Sequence, residues 1–173
     1  LILLFISIFI IACKQDIPVF VFQPNHVTLN IPEQFPDPYI PLDNPLTEEG
    51  IELGKKLFHD PILSGDNTQS CASCHNQQFS FSEPKPVSFG INGNPGSRNA
   101  MALINLAWNT SQNWDGNIQN LENQVFEPVI NPLEMNSESW SHVIEKLKST
   151  EGYPPLFKAA FNTTNSSVKF EDL

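Results

Sequence analysis

Basic side chains, cysteines and long apolar runs are all scarce in this 173-residue chain. Nine Lys and Arg stand against nineteen Asp and Glu, for a formal net charge of −10. That balance argues against a nucleic-acid partner, whose binding rests on neutralising phosphates. An acidic surface instead attracts a basic protein or keeps the domain soluble. Beyond Cys71, Cys74 and His75 there is no further Cys or His pair, so a tetrahedral zinc site lacks half its ligands. No segment alternates apolar and polar residues as a half-buried strand does, and no internal repeat is present. The longest apolar run, Leu1 to Ile11, is too short to span a bilayer. No initiator methionine or basic residue precedes it, so the chain reads as beginning inside its gene product.

What the chain does contain is Cys71-Ala72-Ser73-Cys74-His75. Two thiols three apart, followed at once by an imidazole, are the pattern that attaches a c-type haem. On a helix beginning near Ser70 both thiols can reach haem vinyl groups, while His75 turns beneath the ring as proximal iron ligand. A thioredoxin-like redox disulfide is the alternative. The abutting histidine and the lack of a βαβ pattern count against it.

Cys13 has a separate explanation. The apolar run ends in Ile10-Ile11-Ala12-Cys13, which reads as a lipoprotein signal over residues 1–12 with the lipid on Cys13; a short membrane anchor whose beginning is missing is the alternative. Either places the domain outside the cytoplasmic membrane, in the periplasm or cell envelope, where unprotected thiols would oxidise. Residues 13–46 are proline-rich, which forbids helix and favours an extended tether between membrane and domain.

From residue 47 the order changes. Thr47 suits an N-cap, with Glu48 and Glu49 in the first turn and Lys55 and Lys56 in the last, and this helix should end by Pro61. Ala100 to Trp108 and Ile118 to Phe126 read as short helices, the second stopped before Pro128. Ser137 can cap a further helix whose Trp140, Val143, Ile144 and Leu147 form one stripe. Tyr153-Pro154-Pro155 should break it, with Leu156 to Phe161 resuming as helix. Residues 47–173 therefore read as a mainly α, cytochrome c-like haem domain with long loops.

Leu53-Gly54-Lys55-Lys56-Leu57-Phe58, Asp60-Pro61, Leu63-Ser64 and the haem motif together resemble the N-terminal haem domain of bacterial di-haem cytochrome c peroxidases and the related MauG proteins. The likeness continues through Arg98-Asn99, Asn105, Trp114-Asp115-Gly116, Leu121-Glu122-Asn123-Gln124, Pro128 and Asn131-Pro132-Leu133-Glu134-Met135. It implies reduction of hydrogen peroxide to water with electrons from a small cytochrome c or cupredoxin. It further implies a haem c in this segment, a second in a C-terminal domain that this chain does not contain, and a homodimer as an assembly to test.

The resemblance implies roles for single residues. Glu134 would be the acid-base group that moves a proton between the peroxide oxygens, and Gln124 would hydrogen-bond the peroxide. Pro128 would shape the pocket, Trp114 would relay electrons between haems, and Asn99 would help bind calcium at the domain junction. Arg98 would pair with a haem propionate. On the residues alone, Glu134 reads first as an exposed carboxylate at the start of a helix and Trp114 as a core residue, while Asn99 can be a helix cap and Arg98 a surface charge.

Two positions depart from the family pattern. A histidine that closes the sixth iron position in many members corresponds here to Ile91, and Asn117 stands where many have arginine. The first departure predicts an iron that is five-coordinate or holds only water. His26, His59 and His142 are the remaining histidines, the second read as helix-terminal and the third as solvated. A different class of function also remains open: Met135 lies sixty residues beyond His75, the spacing of the axial methionine in mono-haem electron carriers. A MauG-like oxidation of protein residues is the further alternative.

Overall fold

The computed structural model describes residues 21–163. The expected signal over residues 1–12 and the lipidated Cys13 lie outside the described residues. Among those described, the fold is mainly helical and the antiparallel pairings are isolated ones, such as His26 with Thr47 and Asn76 with Ser82.

Helix α1 (Glu48–His59) forms as its ends dictate. Thr47 Oγ1 accepts from Gly50 N, glutamates open the first turn, and Lys56 and His59 close the last. Leu53 and Leu57, four apart, turn inward. They meet Val143 and Leu147 of α4 (Trp140–Ser149) and Tyr153, Phe157 and Ala160 of α5 (Tyr153–Phe161). The 3₁₀ turn Pro61–Leu63, Val129 of α3 (Leu121–Ile130) and Met135 complete this core. At its edge the Tyr153 hydroxyl donates to Asp60 Oδ2 at 2.8 Å, joining the start of α5 to the end of α1. Burial, then the Asp60 carboxylate, pushes the Tyr153 hydroxyl well above the usual tyrosine range. Tyr153→Phe should therefore lower stability by about 1.5–3 kcal/mol, the cost of a hydrogen bond to a charged group. A urea unfolding midpoint equal to that of the native protein would refute this.

Several local expectations need correction. The segment from Ala100 is irregular, and only Leu106–Trp108 makes a 3₁₀ turn. Helix α3 starts at Leu121, capped by Asn120 Oδ1 on Asn123 N, and runs through Pro128 to Ile130. Proline removes one bond, to the Gln124 carbonyl, but the next turn still closes through Asn131 N on Glu127 O. The N-cap of α4 is Ser139, whose Oγ accepts from His142 N. Ser137 is buried and donates to Leu63 O at 2.6 Å instead. Pro154 and Pro155 begin α5 in its first turn, where a missing N–H costs nothing.

The described part of the proline-rich segment has no helix, bends through turns closed by Phe35 N on Pro32 O (2.9 Å) and Asn44 N on Pro41 O (3.3 Å), and lies against the domain. Trp108 Nε1 donates to Pro36 O at 2.7 Å, with the Phe35 ring edge-on to the indole. Asn25 bonds Glu49, and Asn44 Nδ2 bonds Glu122.

Candidate functional site

The thiols sit on the single-turn helix α2 (Cys71–Cys74), begun by Ser70, whose N–H donates to Ser73 Oγ. His75 ends that turn, its N–H bonded to Cys71 O at 2.9 Å. Cys71 and Cys74 are free thiols. Burial pushes both pKa values up; at Cys74 a hydrogen bond from Gln69 Nε2 at 3.2 Å opposes the shift, and nearby Glu83 reinforces it. Two reduced thiols on one turn, next to an imidazole, are the donor set a c-type haem requires.

The His75 ring supports the same fit. Its Nδ1 lies 2.9 Å from the Phe81 carbonyl oxygen. A carbonyl can only accept, so the ring proton belongs on Nδ1 and Nε2 is left as a neutral donor for iron. Composition and spacing could not have named Phe81, because its contribution comes from the backbone.

Glu134 is half-buried in the turn that follows α3. Loss of solvent is the largest influence on its carboxyl and raises the pKa, with the Glu127 charge adding to it. The Asn131 hydrogen bond at 2.9 Å pulls the other way without reversing the shift. Asn131 occupies Oε1, which leaves Oε2 to exchange a proton.

The peptide carrying Glu134 is clasped from three sides. The C-terminal carbonyls of α3 take Met135 N (on Pro128 O, 3.1 Å) and Ser137 N (on Val129 O, 2.8 Å), which are groups a helix end otherwise leaves unpaired. Gly65 N donates to Met135 O at 2.8 Å, and Ile91 N donates to Glu134 O at 3.0 Å. Both approaches need glycine, since a Cβ on Gly65 would strike the Asn136 carbonyl and one on Gly90 the Leu133 carbonyl. Gln69 also holds Phe89 O at 3.0 Å, so it spans Cys74 and the loop that supports Glu134. Gln69, Gly65 and Gly90 were missed from sequence, although each adjoins a residue already singled out: Ser70, Ser64 and Ile91.

The other expected site residues fall as follows. Gln124 is on α3, its Oε1 buried without a hydrogen-bond partner. Pro128 contributes the carbonyl that holds Met135. Met135, the axial ligand of the electron-carrier alternative, is 4% exposed within the apolar core beside α1 and α5. Trp114 is 68% exposed rather than in the core, and its Nε1 donates to Asn99 O at 3.3 Å. Arg98 pairs with Asp115 at 3.0 Å. Asn99 caps no helix; its Nδ2 donates to Glu83 O and Lys85 O. Among the described residues no group of three or more His, Cys, Asp or Glu could hold a metal ion. His26, His59 and His142 are exposed, His59 at the end of α1 and His142 4.0 Å from Glu138.

Comparison with known proteins identifies the family. The sequence pattern of the di-haem cytochrome c peroxidases matches residues 48–173. The chain is 42% identical over 132 residues to the methylamine utilization protein MauG of Methylorubrum extorquens, covering 76% of this chain and 36% of that protein. It is 36% identical over 140 residues to the cytochrome c peroxidase Ccp of Escherichia coli, covering 76% and 30%. Among solved structures, a MauG-like protein associated with microbial copper homeostasis superposes with a TM-score of 0.73 at 33% identity, over 79% of this chain and 40% of that one. The chain thus spans about a third of the length of the curated relatives it matches.

Proposed function

Because the chain belongs to the di-haem cytochrome c peroxidase family, we propose that it is the haem domain at which hydrogen peroxide is reduced. The net reaction is one H₂O₂, two electrons and two protons giving two waters. The observation that carries this reading is Glu134, a half-buried carboxyl oriented by Asn131 at 2.9 Å on a peptide that Ile91 N holds at 3.0 Å.

Cys71 and Cys74 would hold the haem covalently and His75 Nε2 would ligate it. When bound, the haem supplies the site where peroxide is reduced. The chain's residues supply the proton handling. Glu134 Oε2 would take the proton from the peroxide oxygen that is retained and return it to the oxygen that departs as water. Asn131 keeps the carboxyl oriented while this happens, and the Gln124 amide, with its unpaired oxygen, holds the peroxide or a water in line. Electrons would come from a small donor protein by way of a second haem, outside the length matched here, with the exposed Trp114 as the relay between the haems. The Met135 carrier reading is disfavoured by the burial of that side chain in the apolar core. An envelope location with a lipid on Cys13, and calcium held by Asn99, rest on the residues named in the sequence.

Since Ile91 replaces the expected sixth ligand, the haem-loaded protein should give a high-spin ferric EPR signal at rest and oxidise a reduced cytochrome or cupredoxin on adding peroxide. A low-spin bis-histidine signal from this haem, or a spectrum indifferent to peroxide, would overturn the proposal.

A further inference from the structure

Two successive residues other than glycine, Ser80 and Phe81, have left-handed backbones, with φ of 58° and 57°. A bulky side chain rarely adopts this conformation, and glycine adopts it freely. Such strain persists only where the surroundings over-determine it. Here they do so from several directions. Residues 76–82 close on themselves through Phe81 N on Asn76 O (2.9 Å) and Asn76 N on Ser82 O (3.0 Å). Next along the chain, Ser82 Oγ donates to Ala100 O at 2.6 Å. The Phe81 ring meets the Phe58 ring of α1 edge-on, with centroids 6.2 Å apart. The product of this conformation is a carbonyl aimed at His75 Nδ1.

Building on the haem reading above, we infer that Phe81 is the positioning residue of the proximal histidine. Its ring anchors the strained loop on α1, and its carbonyl holds the ring proton on Nδ1. A turn alone would be served better by glycine at position 81. A phenylalanine there adds an anchor, so the carbonyl stays on Nδ1 through the changes of charge at the iron. A strong Nδ1 acceptor makes the imidazole a more basic ligand and favours the oxidised metal.

Phe81→Pro cannot hold a positive φ and withdraws the carbonyl. In the haem-loaded protein it should move the ferrous Fe–His stretching band to lower frequency and the reduction potential to more positive values. Phe58→Ala, which leaves the loop sequence intact, should move both in the same direction by less, and Phe79→Ala, at an exposed neighbour, should move neither. Native frequency and potential in Phe81→Pro would overturn the inference. If that variant does not fold, the native protein still decides, because the His75 Nδ1 proton should exchange slowly with solvent in ¹H NMR of the reduced form. Exchange as fast as that of an open imidazole would refute the carbonyl bond. A native protein without a c-type haem spectrum would instead refute the haem reading, so the two failures are distinguishable.

Discussion

Replacing Glu134 by glutamine should slow the reaction of the haem-loaded protein with peroxide by about 10²–10⁴-fold, the usual worth of a positioned acid-base group. The swap is nearly isosteric, and Oε1 can still accept from Asn131, so folding and haem attachment should survive. What is lost is the atom that takes and returns the proton. The pH dependence separates this role from simple polarity. Burial raises the Glu134 pKa above the 4.5 of an unperturbed glutamate, and the proton-accepting form is the ionised one. The rate should therefore fall as pH drops through a value above 4.5, and that acidic limb should vanish in Glu134→Gln. The same shift has a consequence for stability. A carboxyl whose folded pKa is raised contributes most below the unfolded value, and that contribution is lost as pH rises through the folded one. Stopped-flow absorbance across pH 4–8, on native and variant protein, reads both rate effects. An unchanged limb in the variant would remove Glu134 from the chemistry.

What the sequence made legible was governed by distance along the chain. Thr47 and its following glutamates specify α1 because a cap and a first turn are settled within four residues. The haem motif is similarly local. Ser137 misled because two serines lie two apart and either can cap; Ser139 does, since Ser137 is drawn away by the Leu63 carbonyl, 74 positions earlier. Pro128 misled because proline is unfavourable in a helix interior in general, whereas here it falls eight residues into a ten-residue helix and loses a single bond.

The candidate site divides in the same way. Glu134, Gln124 and Trp114 were visible through resemblance alone, because a lone Glu, Gln or Trp has commoner uses. The parts that place Glu134 and His75 were invisible, since they are backbone groups: the carbonyls of Phe81, Pro128 and Val129 and the N–H groups of Gly65 and Ile91. Backbone partners leave no residue-type signature except where close approach demands glycine, and a glycine in a loop has many other uses.

Gly90→Ala should be among the most damaging small substitutions in the domain, destabilising it by about 2–4 kcal/mol through overpacking and loss of a hydrogen bond. The added Cβ would collide with the Leu133 carbonyl oxygen and lie 2.7 Å from its carbon and 2.8 Å from Glu134 O. These are backbone atoms that cannot rotate aside. Relief requires the loop and the 133–134 peptide to separate, which breaks the bond from Ile91 N to Glu134 O. The cost is steric, because Gly90 is not among the residues with positive φ. Gly54 gives the control: on α1 a Cβ there meets nothing within 4 Å, so Gly54→Ala should stabilise by up to about 1 kcal/mol from helix propensity. Function should fall further than folding in Gly90→Ala. A misplacement of about 1 Å in a catalytic group can cost about 10²-fold in rate, so the fraction that remains folded should react slowly with peroxide. Gly54→Ala should react at the native rate. Denaturant titration beside single-turnover peroxide kinetics measures the two effects separately. A Gly90→Ala protein as stable and as fast as the native one would mean that the Ile91 loop does not hold Glu134 in place.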